Sequence, residues 1–262
     1  MDAHDEPRTI RVGMGQTLVV PGEPEANLAR AAAMVEAAAD EACDVVVLPE
    51  CGDHGWTSAA ANLVTEESFA AAVDRYRDLA ATHRIAVVAG LTERAGPDVL
   101  NTAIAIDAGG TLVGRHRKVN ELDFARKTYA TGTALEAFGA LGTTIGISIC
   151  ADNSAASLYL PQALCALGAR MILSPCAWAV PPGFDQEATP YGDEWVRPYT
   201  DIATRWGVPV VGVSYVGPVV DGDWAGWSCI GSSLAVDRDG ALVMHLGYGV
   251  SELGVVDLLV GP

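Results

Sequence analysis

The 262-residue sequence has few basic residues and no long apolar run, and each absence excludes a class of function. Sixteen lysines and arginines stand against 33 aspartates and glutamates, for a formal net charge of −17. Binding to nucleic acid or to an anionic membrane surface needs a basic patch, so we expect no nucleic-acid partner and no membrane partner. No run of about 18 apolar residues could span a bilayer, and the acidic start MDAHDEPRTI lacks the pattern of a secretory signal. The sequence therefore predicts a cytoplasmic protein.

Clustered metal ligands and paired cysteines are also missing. The chain has five histidines and six scattered cysteines, namely Cys43, Cys51, Cys150, Cys165, Cys176 and Cys229. No two cysteines form a CxxC pair, which is atypical of zinc sites and of disulfide-stapled domains. We therefore expect most of these cysteines to be free, buried thiols and expect no metal site; the acyl chemistry considered below would require no cofactor.

The pattern of apolar residues predicts one α/β domain over residues 1–262. Short β-branched runs such as DVVVLPE and TTIGISIC alternate with helical segments such as NLARAAAMVEAAADEA. The segments NTAIAIDAGGTLVGRHRK and SSLAVDRDGALVMHLG each hold an Asp- and Gly-containing turn between strand-like runs, which predicts two antiparallel hairpins. A Pro- and Gly-rich stretch, residues 179–194, is expected to be a long surface loop. Together these features indicate mixed sheets covered by helices.

Three of the strand-like runs end on chemically reactive side chains, Glu50, Lys118 and Cys150. Each has a plain structural explanation when taken alone: a solvated strand end, a basic edge and a small buried hydrophobe. If the three converge in space, they supply a base, a positive charge and a nucleophile for acyl chemistry. The small polar turn that begins at Ala151 could also direct free backbone N–H groups at the reacting atom.

In their order and surroundings these segments resemble the nitrilase, or carbon–nitrogen hydrolase, superfamily. The glutamate segment of that family is similar to D-V-V-V-L-P-E with the Gly55-Trp56 that follows it. Its lysine segment is similar to G-R-H-R-K-V, and its nucleophile segment is similar to I-G-I-S-I-C-A-D. Later family segments follow in the same order, in G-A-R-M-I-L-S-P-C-A-W, W-G-V-P-V-V-G-V-S-Y-V-G and G-S-S-L-A-V-D-R-D-G. The resemblance implies a four-layer α-β-β-α sandwich of two six-stranded mixed sheets flanked by helices. It also implies a homodimer or larger homo-oligomer.

The resemblance assigns Cys150 as nucleophile, Glu50 as general base and acid, and Lys118 as an oxyanion stabiliser together with the backbone N–H of Ala151. It implies hydrolysis of a small-molecule amide through a thioester on Cys150. A nitrilase or an N-carbamoyl amidohydrolase would use the same three residues, so both stay alternatives. A catalytically silent binding subunit is an alternative of another class. A thiol redox sensor, the remaining alternative, would need a second cysteine near Cys150.

Substrate contacts are predicted for residues close in sequence to the three segments, namely Trp56, Tyr129, Asn153 and Trp178. Asn153 lies in the stretch just after the nucleophile, where the chain departs from the family pattern. Ala151 replaces the aromatic residue that commonly follows the nucleophile, and residues 153–158 displace the next helix. We expect these differences to affect which substrate is accepted more than the basic chemistry.

A second departure concerns an additional glutamate that the family usually carries between the lysine and the segment Tyr129-Ala130-Thr131-Gly132. Its expected position falls near Phe124 and Ala125. Glu121 and Asp123 are the two acidic residues that could replace it, and the sequence leaves the choice between them open.

Overall fold

A computed structural model describes residues 7–261, in which two six-stranded sheets pack face to face. The strands are β1 (Arg8–Gln16), β2 (Val45–Val47), β3 (Ala86–Ala95), β4 (Asp98–Ile106), β5 (Leu112–Arg117), β6 (Ala137–Ala140), β7 (Thr143–Ile147), β8 (Met171–Cys176), β9 (Ala179–Val180), β10 (Val210–Ser214), β11 (Val216–Pro218), β12 (Ser228–Ile230), β13 (Leu234–Val236), β14 (Leu242–His245) and β15 (Glu252–Val260). The helices are α1 (Pro24–Asp40), α2 (Glu66–His83), α3 (Tyr159–Ala166) and α4 (Asp193–Trp206). Short 3-10 turns occupy Ala59–Leu63, Ala125–Lys127 and Cys150–Asn153.

The layers follow from which elements touch. The first sheet has the order β15-β1-β2-β3-β4-β5 and the second the order β14-β13-β10-β8-β7-β6. Helices α1 and α2 pack on the first sheet, α3 and α4 on the second, and β1, β2 and β3 contact β8 and β10 across the middle. A small third sheet has the order β11-β12-β9. The predicted α-β-β-α sandwich of mixed sheets is therefore confirmed.

The central strands are parallel and buried on both faces, which explains their unbroken apolar sequences. Strand β2 pairs in parallel with both β1 and β3, and its residues Val45, Val46 and Val47 have no solvent exposure. Strand β8 is likewise parallel to β7 and β10. Both predicted hairpins are present, with β4 antiparallel to β5 and β13 antiparallel to β14.

Two helix ends show ordinary capping chemistry, the start of α2 and the end of α4. The side chain of Thr65 accepts a hydrogen bond from the Ser68 N–H at the start of α2, and Ser68 bonds back to Thr65. Helix α4 ends at Gly207, which adopts the left-handed conformation that glycine tolerates best. Among the helices of residues 7–261, none is both long enough and apolar enough to cross a membrane.

The structure also revises the predicted boundaries. Strands β2 and β7 end at Val47 and Ile147, so Glu50 and Cys150 stand on the connections beyond them, whereas Lys118 directly follows β5. The expected loop 179–194 begins with β9 and ends inside the first turn of α4. Strand β15, which the sequence analysis left unassigned, pairs antiparallel with β1 over its whole length.

Candidate active site

The topology brings Glu50, Lys118 and Cys150 to one end of the sandwich. The Glu50 N–H donates to the carbonyl of Cys176 at 3.2 Å, which links the loop after β2 to the end of β8 in the opposite sheet. Lys118 Nζ lies 2.6 Å from Glu50 Oε1, and both side chains are buried. The charges of Glu50 and Lys118 are close enough to Cys150 to shift its pKa in opposite directions. The three predicted residues therefore share one site.

Close backbone packing against β3 fixes the position of Glu50. Gly90 N–H donates to the Pro49 carbonyl at 3.0 Å, and Gly52 N–H donates to the Gly90 carbonyl at 2.9 Å. A Cβ atom on Gly90 would stand 2.5 Å from both the Glu50 Cα and the Pro49 carbonyl oxygen. Backbone atoms cannot move aside as a flexible side chain can, so only glycine fits at this position in β3.

Cys150 lies on a sharp turn with a backbone φ of 45°, a left-handed conformation that non-glycine residues rarely adopt. Its N–H donates to Ser174 Oγ at 3.2 Å. Asp152 holds the turn from within, because its carboxylate accepts the Ile149 N–H at 3.0 Å and pairs with His116 Nε2 at 2.8 Å. Burial alone would raise the pKa of Asp152, but the His116 bond and charge hold it below its ordinary value. The strained turn and the ionised Asp152 carboxylate together hold Cys150 in a fixed position, as a nucleophile would require.

Several polar atoms around Lys118 have no hydrogen-bond partner among the described residues. Glu50 Oε1 accepts from Lys118 Nζ and from Asn101 Nδ2, both at 2.6 Å, while Glu50 Oε2 is buried without a partner. Both carboxylate oxygens of Glu121 and the Oδ1 of Asn101 likewise have no hydrogen-bond partner, although Glu121 Oε2 lies 3.8 Å from Lys118 Nζ. Buried polar atoms of this kind are normally satisfied by the protein, by ordered water or by a bound molecule.

The ionisation states follow from this packing. Burial alone would lower the pKa of Lys118, but the negative charges of Glu121 and Glu50 hold it well above its ordinary value. A hydrogen bond with the Cys176 thiol raises the pKa of Cys150, burial and the Glu50 charge raise it further, and Lys118 opposes them. Cys150 is therefore a neutral thiol at rest, and it needs a base before it can act as a thiolate.

Glu121, and not Asp123, stands beside Lys118. Glu121 Oε2 lies 3.8 Å from Lys118 Nζ, and the Glu121 side chain is fully buried. Burial raises the pKa of Glu121 to about 7, although the Lys118 charge opposes the shift. Asp123 is 98% exposed and lies 3.8 Å from Arg126 on the surface. The structure thus gives Glu121 the place next to the lysine that the sequence could not assign.

A cavity of about 360 Å³ opens next to these residues, and Lys118, Cys150 and Ala151 line it. Of the predicted substrate contacts, Trp56 and Trp178 line the cavity too. The remaining lining residues are Leu122, Ser154, Ala177, Ala179, Tyr191, Glu194, Trp195, Trp224 and Trp227.

Tyr129 and Asn153, the other two predicted contacts, do not line this cavity. The Tyr129 hydroxyl accepts the Thr57 N–H at 3.0 Å, so the ring supports the loop that carries Trp56. The Asn153 side chain bonds to Ser148 Oγ at 2.8 Å and to Ser174 Oγ at 2.9 Å. Both side chains therefore make their hydrogen bonds within the protein. The prediction failed for these two residues because nearness in sequence does not decide which way a side chain points.

Sequence reasoning missed the aromatic residues contributed from later in the chain. Tyr191 lies just before α4, Glu194 and Trp195 lie in its first turn, and Trp224 and Trp227 lie in the connection between β11 and β12. Two tryptophans in the Gly- and Asp-rich stretch DGDWAGW were a usable signal, since such a stretch has no core of its own to bury them.

A second thiol lies beside Cys150. Cys176 lies close enough to Cys150 to raise the pKa of the Cys150 thiol, and its sulfur is 3.3 Å from Ser174 Oγ, the acceptor of the Cys150 N–H. All six cysteines are free thiols. Cys176 thus meets the positional requirement of the redox alternative. Within residues 7–261, no group of three or more His, Cys, Asp or Glu side chains is arranged to hold a metal ion.

Comparison with known proteins gives the family. The carbon–nitrogen hydrolase family model matches residues 11–260, nearly the whole chain. The chain belongs to the carbon–nitrogen hydrolase family. Among curated relatives, the omega-amidase NIT2 of Xenopus tropicalis is 25% identical over 184 residues, which is 66% of each protein. An aliphatic nitrilase of Rhodococcus rhodochrous is 43% identical over 60 residues, or 23% of this chain and 16% of the nitrilase. The matched stretches thus span two-thirds or less of these relatives.

Solved structures of this family share the fold. A carbon–nitrogen hydrolase from Helicobacter pylori G27 superposes with a TM-score of 0.86 at 19% identity, covering 96% of this chain and 89% of that chain. An amidase from Nesterenkonia sp. superposes with a TM-score of 0.81 at 24% identity, covering 95% of this chain and 90% of the amidase. At these identities the likeness concerns the fold. The nitrilase-superfamily resemblance seen in the sequence is confirmed.

Proposed function

We propose that this carbon–nitrogen hydrolase cleaves a small-molecule amide through a thioester on Cys150. The observation that carries the proposal is the buried Lys118–Glu50 pair, 2.6 Å apart, next to a cavity whose wall includes Lys118, Cys150 and Ala151. A base, a fixed positive charge and a thiol at one cavity are the groups that acyl transfer requires.

Acylation begins with the neutral thiol. The unpartnered Glu50 Oε2 takes the proton from the Cys150 sulfur, and the thiolate attacks the amide carbon to form a C–S bond. Lys118 and the Ala151 N–H stabilise the resulting oxyanion. Glu50 then returns its proton to the nitrogen, the C–N bond breaks, and ammonia leaves.

Deacylation reverses these roles with water. Glu50 removes a proton from a water molecule as that water attacks the thioester carbon. The C–S bond breaks, the carboxylic acid is released, and the proton on Glu50 returns to the Cys150 sulfur. One carboxylate serves as base and acid in turn, and Glu121 strengthens the negative surroundings that keep Lys118 charged.

Relatives support an amide over the two alternative substrates. The relatives matched over the greater part of the chain are omega-amidases, whereas the nitrilase match covers 60 residues. In a variant of the Nesterenkonia amidase, the acetamide moiety of fluoroacetamide is covalently attached to the active-site cysteine. Nitriles and N-carbamoyl compounds remain alternatives because the same three residues would serve for them.

Ammonia release from a panel of small amides, nitriles and N-carbamoyl compounds tests the proposal. We expect turnover of amides by the wild-type enzyme and none by Cys150→Ala or Glu50→Gln, with both variants folded by circular dichroism. Undiminished turnover in Cys150→Ala would contradict the mechanism. Silence across all three substrate classes would favour the catalytically silent binding subunit.

Labelling with a mild alkylator, with and without peroxide, separates the hydrolase from the redox alternative. For the hydrolase, Cys150 labels in the reduced protein and an amide substrate protects it. The redox sensor would be favoured if peroxide abolished the labelling of Cys150, if this loss required Cys176, and if the protein hydrolysed no amide.

A further inference from the structure

Five of the fourteen residues that line the cavity are tryptophans. Of the six tryptophans in the sequence, all but Trp206 line the cavity. They form two groups of rings in contact. Trp178 stacks on Trp195 with ring centroids 5.3 Å apart, and Trp224 stacks on Trp227 at 4.3 Å. Trp56 meets Trp224 edge to face at 5.3 Å. Indole faces carry negative electrostatic potential and are the side-chain surfaces best suited to hold a cation.

The cavity offers no unpaired positive charge to an anionic ligand. Lys118 is the one basic side chain among the described lining residues, and Glu50 and Glu121 lie 2.6 Å and 3.8 Å from its Nζ. Glu194, at the exposed start of α4, is the one acidic lining residue. The wall away from Cys150 is therefore aromatic with one carboxylate, Glu194, which favours a cation over a carboxylate.

The fold already shows an ammonium group held in this way. Lys118 Nζ lies 5.8 Å from the centre of the Trp56 ring. Farther along the wall, Trp195 donates its indole N–H to the Tyr191 hydroxyl at 2.7 Å, so its ring face is what it offers a ligand. Glu194 precedes Trp195 in the chain, and the two side chains line the same cavity.

Resting on the proposed amide hydrolysis, we propose that the preferred substrate carries a cationic head group, an alkylated or free ammonium, at the end of its acyl chain. The amide lies against Cys150 and Lys118. The head group lies among the indole rings, close to Trp195 and Glu194. The acyl chain separates the head group from Lys118, whose charge Glu50 and Glu121 offset.

Three butanamides of matched shape test this proposal. They carry a trimethylammonium, a tert-butyl or a sulfonate group on the terminal carbon, so size is kept while charge changes from positive to neutral to negative. We expect kcat/KM for the trimethylammonium amide to exceed that of the tert-butyl amide by about tenfold. The sulfonate should be the poorest substrate.

Two neighbouring acidic residues give a matched pair of variants. Glu194→Gln should lower the ratio of trimethylammonium to tert-butyl kcat/KM by about threefold, because an exposed carboxylate contributes modestly. Asp193→Asn should leave that ratio unchanged, since Asp193 is outside the cavity lining and lies 3.5 Å from Arg197 at the surface.

The outcomes separate this proposal from the proposed function. If the tert-butyl or the sulfonate amide is the better substrate, the cationic subsite is overturned while amide hydrolysis stands. The cationic subsite is also overturned, and amide hydrolysis also stands, if other amides of the panel are hydrolysed and none of these three is. If no amide is hydrolysed, calorimetry with Cys150→Ala decides. Tighter binding of the trimethylammonium amide than of the tert-butyl amide upholds the subsite, and equal or absent binding overturns it.

Discussion

Lys118 Nζ and Glu50 Oε1 lie 2.6 Å apart, with both side chains withdrawn from solvent. Removing one partner from a buried ion pair leaves an uncompensated charge, which commonly costs about 3–5 kcal/mol of folding free energy. Glu121, at 3.8 Å, gives the Lys118 charge a second partner, whereas within residues 7–261 Glu50 forms a salt bridge with Lys118 alone.

Lys118→Met should therefore lower the free energy of unfolding by about 3 kcal/mol or more, measured by urea denaturation. The double variant Lys118→Met/Glu50→Gln should regain part of that loss, because the orphaned carboxylate is gone. Lys127→Met is the matched control. It removes an exposed 3.0 Å bridge to Asp223 and should cost less than about 1 kcal/mol. A double variant less stable than Lys118→Met would contradict the assignment of Glu50 as the stranded charge.

Gly90→Ala should reduce activity strongly, because the new Cβ would stand 2.5 Å from the backbone at Glu50 and Pro49. The loop carrying the base must shift, and a misplacement of about 1 Å can cost on the order of 100-fold in rate. Gly139→Ala is the control, since a Cβ there meets nothing within 4 Å. Comparison of kcat/KM for the two variants checks the prediction, and equal activity would show that the Gly90 contact does not position Glu50.

The stability of the protein should fall as the pH rises toward neutrality, because of Glu121. Burial raises the pKa of Glu121 from 4.5 to about 7, so the folded chain keeps a proton that the unfolded chain has lost. The free energy that this proton contributes is fully present below about pH 4.5 and is lost as the pH rises to about 7. The full shift is worth on the order of 3 kcal/mol.

Urea denaturation at about pH 5 and about pH 8 measures this loss. Glu121→Gln, which cannot titrate, should show a smaller fall in the free energy of unfolding than the wild type. Asp123→Asn, at a side chain that is 98% exposed, should fall as the wild type does. An identical fall in Glu121→Gln and the wild type would place the titrating group elsewhere.

The sequence predicted the sandwich, both hairpins and the convergence of Glu50, Lys118 and Cys150, because short motifs in a fixed order carry that information. It left open whether Glu121 or Asp123 lies beside Lys118. The two residues differ in burial, and the sequence of a short turn does not show which of its side chains is buried. It also missed Trp195, which reaches the cavity through tertiary packing. Tertiary packing brings together segments that are distant in sequence, and local periodicity does not predict such contacts.

The mass of the enzyme during turnover tests the thioester most directly. Protein quenched in acid while hydrolysing an amide should carry one acyl group, located by peptide mass spectrometry on the peptide that contains Cys150. Cys150→Ala should carry none and should release no ammonia. An acyl group on another residue, or ammonia release by Cys150→Ala at the wild-type rate, would contradict a Cys150 thioester.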